Sequence, residues 1–232
     1  MPKIQKAGFT WNIRDNTSDN LIIGLMTNPG EYLNFLQPKQ GDVILDIGMN
    51  VGGFSMMCAS EGAKVIGYEP HKETCELAQQ NFIDNNLEVE TYEMAVGPET
   101  TDDVLYLHKD NWSIFYSTIL CKEEIPLRAN GEAVPIKVAG INDVLEQHRP
   151  TKIKMDCEGV EYDIIMAVKD WYDVEKLAIE WHSGKNRNLA VVNKKVVPDD
   201  GRYIGAVIEK LKKHFSIVEK HPVADNIYNC TR

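Results

Sequence analysis

No run of about 18 apolar residues occurs among the 232 of this chain, so no segment is suited to crossing a bilayer. The opening residues, MPKIQKAGFTW, lack the apolar centre of a secretory signal, and a cytoplasmic protein without membrane insertion is expected. Cysteine is scarce and badly placed for cross-linking: Cys58, Cys75, Cys121, Cys157 and Cys230 are odd in number, far apart and free of any CxxC pair. That excludes a disulfide framework or a cysteine-rich zinc site and predicts free thiols. Positive charge is short as well. Lysine and arginine total 25 against 35 acidic residues, a formal net charge of -10, which repels a phosphate backbone and argues against a nucleic-acid partner. The local basic strip is Lys185, Arg187, Lys194 and Lys195. There are no internal repeats, and no exposed apolar stripe indicates an oligomeric state.

With 43% hydrophobic content the chain can bury one substantial core, and a single compact α/β domain is expected over residues 41–232, with residues 1–40 as an N-terminal cap. In the cap, Leu21 to Met26 and Tyr32 to Leu36 read as short helices broken by Asn28-Pro29-Gly30. From residue 43, short β-rich runs alternate with helical ones: VILDIG, a helix from about Phe54, KVIGYE, a helix from about Lys72 to Asn86, then VETYEMAV. Continuous apolar strands separated by helices imply a parallel sheet covered on both faces. An excursion of hairpin or loop character runs from VLYLH to Asn130, followed by VPIKV, the helical INDVLEQH and the strand KIKMD. Val160, Ile164, Ile165 and Val168 share a helix face, KLAIEWH is the next strand, and residues 183–202 form a long connection of the kind that is usually functional or disordered. Ile204, Val207, Ile208 and Leu211 mark a last helix, and SIVEKHPV with NIYNCT reads as a terminal antiparallel hairpin.

The run Asp46-Ile47-Gly48-Met49-Asn50-Val51-Gly52-Gly53-Phe54 leaves a strand and opens a helix. Its glycines permit a sharp turn and close approach to a ligand, while the helix start presents free N–H groups. The dinucleotide fingerprint is G-x-G-x-x-G, and Asn50 stands at its second glycine, where it obstructs a pyrophosphate. Asp46 suits a cationic ligand. Glu69, ending the second strand, can take both hydroxyls of a ribose in either cofactor type.

LDIGMNVGGFS with GYEP, followed by KIKMDCEGVEYDII, resembles the FkbM family of S-adenosylmethionine-dependent methyltransferases, whose second signature is a Lys-Ile-Asp-x-Glu-Gly-x-Glu run. Met155 stands where that run has Ile. NTSDN, EMAVG, VPIKVAGINDVLEQ and LAIEWH resemble further family segments in order, so the likeness covers about residues 10–182. It implies a class I methyltransferase fold, Rossmann-like and doubly wound, with a mostly parallel seven-stranded sheet ending in an antiparallel hairpin. It also implies S-adenosyl-L-methionine as cofactor, held by Asp46, Gly48, Asn50, Gly52, Glu69 and Ala95.

The resemblance places residues 156–161 at the carboxyl end of the fourth strand, beside the cofactor crevice. Methyl transfer from a sulfonium is an in-line displacement, so the enzyme aligns an acceptor with the methyl carbon and deals with its proton. Alignment supplies up to ~7 to 11 kcal/mol and a positioned base ~10²- to 10⁴-fold. Asp156, Glu158, Glu180 and His182 are the candidate base and orienting groups, with His182 the natural acceptor near neutral pH. The same four could instead hold a divalent cation that lowers a hydroxyl pKa. Glu161 and Asp163 suit the first turn of the next helix on dipole grounds alone. Trp181 is expected to pack, Cys157 to lie in the core, and His71, His108, His148, His214 and His221 to lie at the surface. The chain has no [DNS]-Pro-Pro-[FYW] run, as in amino-methylating nucleic-acid enzymes, and no Pro-Cys pair, as in cytosine carbon-5 enzymes. An oxygen acceptor on a small molecule or sugar is therefore expected. The alternatives are an NAD-type oxidoreductase, a non-catalytic scaffold that kept the fold, and a nucleic-acid methyltransferase.

Overall fold

The computed structural model describes residues 1–107, 133–182, 189–193, 195–198, 201–222, 224 and 226–232. The chain opens with a hairpin absent from the sequence expectation, β1 (Lys3–Lys6) paired with β2 (Phe9–Asn12). Its turn is Ala7-Gly8, both at positive φ, the backbone that two-residue hairpins need. Helix α1 (Asp19–Met26), a π-helical turn at Pro29–Leu33 and the short α2 (Asn34–Leu36) follow, close to the two helices read from the sequence.

The βαβαβ unit is present as β3 (Val43–Ile47), α3 (Gly53–Ser60), β4 (Lys64–Tyr68), α4 (Lys72–Asp84) and β5 (Glu90–Tyr92). The expected third strand VETYEMAV is divided. After Tyr92 the chain leaves the sheet edge, and β6 (Ala95–Gly97) satisfies its backbone groups elsewhere, parallel to β8 (Ala133–Gly140). With β7 (Thr101–Tyr106), antiparallel to β8, these form a separate three-stranded sheet. The expected polar run to Asn130, His108 included, falls mostly outside the described residues. Then come α5 (Ile141–His148), β9 (Lys152–Met155), α6 (Glu161–Ala167) and β10 (Lys176–Glu180). Within the long connection read at 183–202 lies a ribbon, β11 (Leu189–Val192) against β12 (Lys195–Pro198). Lys185, Arg187 and Lys194 of the basic strip lie outside the described residues. Helix α7 (Arg202–Leu211) leads to the terminal hairpin, β13 (Ile217–Lys220) and β14 (Ile227–Thr231).

The main sheet has seven strands in the order β13-β14-β10-β9-β3-β4-β5, with β10, β9, β3, β4 and β5 parallel and the hairpin antiparallel at one edge. This is the class I methyltransferase layout. Alternation along its strands builds one core on each face. Leu45, Ile47, Ile66, Ile153, Met155, Leu177 and Ile179 face the core that α5, α6 and α7 complete. Ile44, Val65 and Ala178 face the opposite core, filled by Trp11, Ile22, Tyr32, Phe54 and Phe82. The first 36 residues thus cover one face of the sheet. Asn12 fastens them to α4, its backbone N–H and side-chain amide both donating to Asn81 Oδ1. Among the described residues no helix is long and apolar enough to cross a membrane, and the described cysteines are free thiols.

Candidate active site

Parallel sheets expose the loops at their carboxyl edge, and here those loops form one cleft. Its walls include Gly48, Met49 and Asn50 after β3, Tyr68, Glu69 and Pro70 after β4, and Ala95 and Val96 of β6. Lys154, Asp156, Cys157 and Glu158 close it from β9, and Ile22 and Met26 from α1.

The glycine loop is built by backbone constraint. Gly48 adopts φ +80, and a Cβ there would stand 1.8 Å from the carbonyl oxygen of Asp156. The β3 and β9 exits therefore touch backbone to backbone, which only glycine allows. Gly52, at φ +88, opens α3 and abuts Phe82 of α4; it tightens helix packing and stands behind the cleft wall. Asn50 also has positive φ, a conformation asparagine tolerates. Its N–H donates to Glu69 Oε2 at 3.0 Å, while the N–H of His71 donates to Glu69 Oε1 at 2.9 Å. Burial pushes the Glu69 carboxyl up to about 7, against the pull of those two N–H groups. Asp46 lies beneath the cleft and does not face it. Fully buried, it accepts from Ser55 Oγ at 2.6 Å and pairs with Lys154 Nζ at 3.2 Å.

The second group converges from β9, α6 and β10. His182 Nε2 lies 3.5 Å from Asp156 Oδ1, 3.6 Å from Glu158 Oε2 and 3.7 Å from Glu180 Oε1. Its Nδ1 is 2.8 Å from Glu161 Oε1, an oxygen that also accepts from Gly159 N–H at 3.1 Å. Glu161 therefore does more than the dipole reading assigned to it: it orients the imidazole. Burial works against the imidazolium, yet Glu158, Glu161 and Asp156 outweigh it and raise His182 well above its ordinary value. Burial likewise opposes Glu161, but His182 and the N–H donors hold it below the carboxylate range. Burial raises Glu158 to about 8 and also raises Asp156, which Glu180 pushes further and Lys154 restrains.

The four sequence-identified residues are thus together, though not equivalent. Asp156 and Glu158 form cleft wall, whereas Glu180 and His182 are not part of its lining. Glu180 is engaged by Tyr32, whose hydroxyl donates to Oε2 at 2.5 Å, and by Asn226, whose amide donates to Oε1 at 2.9 Å. Among the described residues, the group able to surround a cation is Asp156, Glu158 and His182, one atom of each lying within 4.8 Å of the others. Glu158 sits at φ +59, a strained backbone for a non-glycine residue and of a kind that clusters at functional sites. Cys157 is half-buried and lines the cleft as well as packing on the core. His148 is buried, its Nε2 3.0 Å from the Tyr68 hydroxyl, because α5 folds back onto β4; the surface expectation fails there. Trp181 is buried as expected.

Sequence reasoning passed over Lys154. The residue is 1% exposed, and its ammonium donates to the Gly48 carbonyl at 2.8 Å, with Asp156 Oδ2 at 3.4 Å. Burial opposes this charge, but Asp46 and Asp156 prevail and raise its pKa. The signal was available: in KIKM, lysine alternates with apolar residues along a strand buried on both faces.

The cleft fits S-adenosylmethionine on its own features. It combines apolar walls at Met49, Ala95, Val96 and Leu105 with a buried carboxylate at Glu69 and the tight turn at Gly48 to Asn50. Among curated proteins, an uncharacterized RNA methyltransferase of Nanoarchaeum equitans is 45% identical over 56 residues, covering 24% of this chain and 12% of that protein. The 23S rRNA (uracil(1939)-C(5))-methyltransferase RlmD of Shewanella frigidimarina is 42% identical over 62 residues, 27% of this chain and 14% of its own length. The matches span less than a quarter of each of these relatives. Among solved structures, the Pyrococcus abyssi tRNA (uracil-54, C5)-methyltransferase in complex with S-adenosyl-L-homocysteine superposes with a TM-score of 0.47 at 11% identity, over 99% of this chain and 42% of that one. Precorrin-6y C5,15-methyltransferase from Geobacter metallireducens GS-15 gives 0.46 at 11% identity, over 99% and 97%. A profile of the methyltransferase FkbM domain matches residues 46–218, most of the chain and both signature runs. The chain belongs to the FkbM family of S-adenosylmethionine-dependent methyltransferases.

Proposed function

We propose that this methyltransferase acts on a hydroxyl oxygen of a small molecule or sugar, and that Asp156 accepts the hydroxyl proton. The observation that carries this reading is a single cleft with Gly48, Asn50 and Glu69 in one part of its wall and Asp156 and Glu158 in another. S-adenosylmethionine, when bound, supplies an electrophilic methyl on a sulfonium. The loop at Gly48 to Asn50 and the Glu69 carboxylate would hold it. Ala95 adds an apolar contact; Asp46 and Gly52 shape the loop from behind.

On the acceptor side, His182 is already protonated near neutral pH, so it serves as a fixed cation and Asp156 is the better proton acceptor. Its raised pKa brings it nearer neutrality, where a general base works best. Glu158, whose carboxyl burial raises to about 8, stands beside Asp156 on the same wall and is placed to hydrogen-bond the acceptor. This acidic wall and the chain's formal net charge of -10 oppose a polyanion such as RNA, despite the substrates named for the curated relatives. A divalent cation at Asp156, Glu158 and His182 is a second reading, favoured by their convergence; it would lower the hydroxyl pKa without a protein base.

The test supplies methyl-labelled S-adenosylmethionine with hydroxylated small molecules and sugars, and in parallel with RNA, each with magnesium and with a chelator. Label in the small-molecule fraction, lost in Asp156→Asn, is expected. Label in RNA would overturn the acceptor assignment, and loss on chelation would transfer Asp156 from base to ligand.

A further inference from the structure

We propose that Lys154 is a positioning residue that couples the cofactor wall of the cleft to its acceptor wall, an inference that rests on reading the cleft as the cofactor site. Strand β9 is buried along its whole length, with Ile153 and Met155 on one face and Lys152 and Lys154 on the other. An ammonium in that position persists only with strong partners. Lys154 has three, and each belongs to a different part of the site. The Gly48 carbonyl at 2.8 Å is the turn of the glycine loop. Asp46 at 3.2 Å ends β3, and its other oxygen accepts from Ser55 in the first turn of α3. Asp156 at 3.4 Å is the acceptor-side carboxylate. The Tyr32 ring, 5.7 Å from Nζ, covers the ammonium, and the Tyr32 hydroxyl reaches on to Glu180.

One cation therefore fixes the loop carbonyl, balances the acid beneath the loop and restrains the acid beside the acceptor. The direct backbone contact of Gly48 with Asp156 leaves little slack between the two walls, so losing the ammonium shifts both together. The strand carries its own control. Lys152 is on the same face, equally buried and equally paired, with Asp42 Oδ2 at 2.5 Å and the Gln37 carbonyl at 2.9 Å, but it lies at the far end of β9 and takes no part in the cleft.

The experiment titrates S-adenosylhomocysteine calorimetrically into wild type, Lys154→Met, Lys154→Arg and Lys152→Met, with thermal melting of each. Both methionine variants should melt lower, since each breaks a buried pair. Only Lys154→Met should lose affinity, by about tenfold or more, the worth of one charge-assisted hydrogen bond. Lys154→Arg should recover part of it. If Lys154→Met does not fold, Asp46→Asn and the charge-balanced double variant Lys154→Met with Asp46→Asn carry the same comparison, the double variant binding more weakly by the same factor. Unchanged affinity on losing Lys154, or an equal loss in Lys152→Met, would overturn the coupling role. Absence of binding by wild type would instead overturn the cofactor-site reading beneath it.

Discussion

Glu161 Oε1 stands 2.8 Å from His182 Nδ1, and that contact decides which ring nitrogen meets Asp156 and Glu158. With Nδ1 held from behind, Nε2 is turned toward both carboxylates, at 3.5 and 3.6 Å. The same device, a carboxylate fixing one imidazole nitrogen so that the other works, orients both catalytic and metal-binding histidines.

Removing the orienting charge should cost stability in a defined pH window. His182 titrates above its ordinary 6.5, so its contribution is complete below 6.5 and is lost as pH rises through the raised value. Glu161 titrates below its ordinary 4.5, so its contribution is complete above 4.5 and is lost as pH falls through the lowered value. The pair contributes in full between these limits. Glu161→Gln should therefore destabilise the protein by up to about 3 kcal/mol at pH 6, the cost of breaking a buried ion pair, and by less at either extreme. Melting curves across pH check this.

Glu69 behaves in the opposite sense. Its folded pKa of about 7 exceeds the ordinary 4.5, so the protein without ligand loses stability as pH rises from 4.5 to 7. A ribose hydroxyl donates best to the ionised carboxylate, so affinity for S-adenosylhomocysteine should rise between pH 6 and 8. Glu69→Gln should bind more weakly and lose both trends. A pH series of titrations, paired with melts of the free protein, reads the two together.

Gly48→Ala tests the backbone contact between the strand exits. A Cβ at φ +80 would stand 1.8 Å from Asp156 O, and neither group can retreat without moving β3 or β9. Destabilisation well beyond about 1 kcal/mol is expected, with loss of cofactor binding in whatever folds. Chemical denaturation measures the first and calorimetry the second.

Tyr32→Phe separates Glu180 from the cleft. The variant removes the hydroxyl that donates to Glu180 Oε2 and keeps the buried ring. A stability loss of about 1 to 3 kcal/mol is expected for a part-buried acceptor that loses a partner, with affinity for S-adenosylhomocysteine unchanged.

The strands and the glycine loop were legible because their signals are local: VILDIG and KVIGYE are apolar runs, and the loop residues occur in the order a strand-to-helix turn needs. What escaped was set by distant partners. Nothing in VETYEMAV says that Tyr92 pairs with β4 while Ala95 pairs with β8. Glu161 looked like an ordinary first-turn acid because its partner is 21 positions away, and His148 looked exposed because Tyr68 is 80 away. Their places at the ends of the strands KIKM and KLAIE grouped Asp156, Glu158, Glu180 and His182, which the fold brings together, but only the sheet geometry separates the two that line the cleft from the two that do not. Lys154 opens the second signature run, yet its role was not legible there, because its partners Asp46 and Gly48 lie on another strand and loop.

If Glu69 and the glycine loop form the cofactor half of a working cleft, removing the Glu69 carboxylate weakens cofactor binding. Calorimetric titration of wild type and Glu69→Ala with S-adenosylhomocysteine measures this. One site at roughly micromolar strength is expected in wild type, with affinity weaker by about tenfold or more in the variant, as for a charged hydrogen-bond acceptor lost from a buried position. Equal affinity in the two proteins, or no binding by wild type, would contradict it.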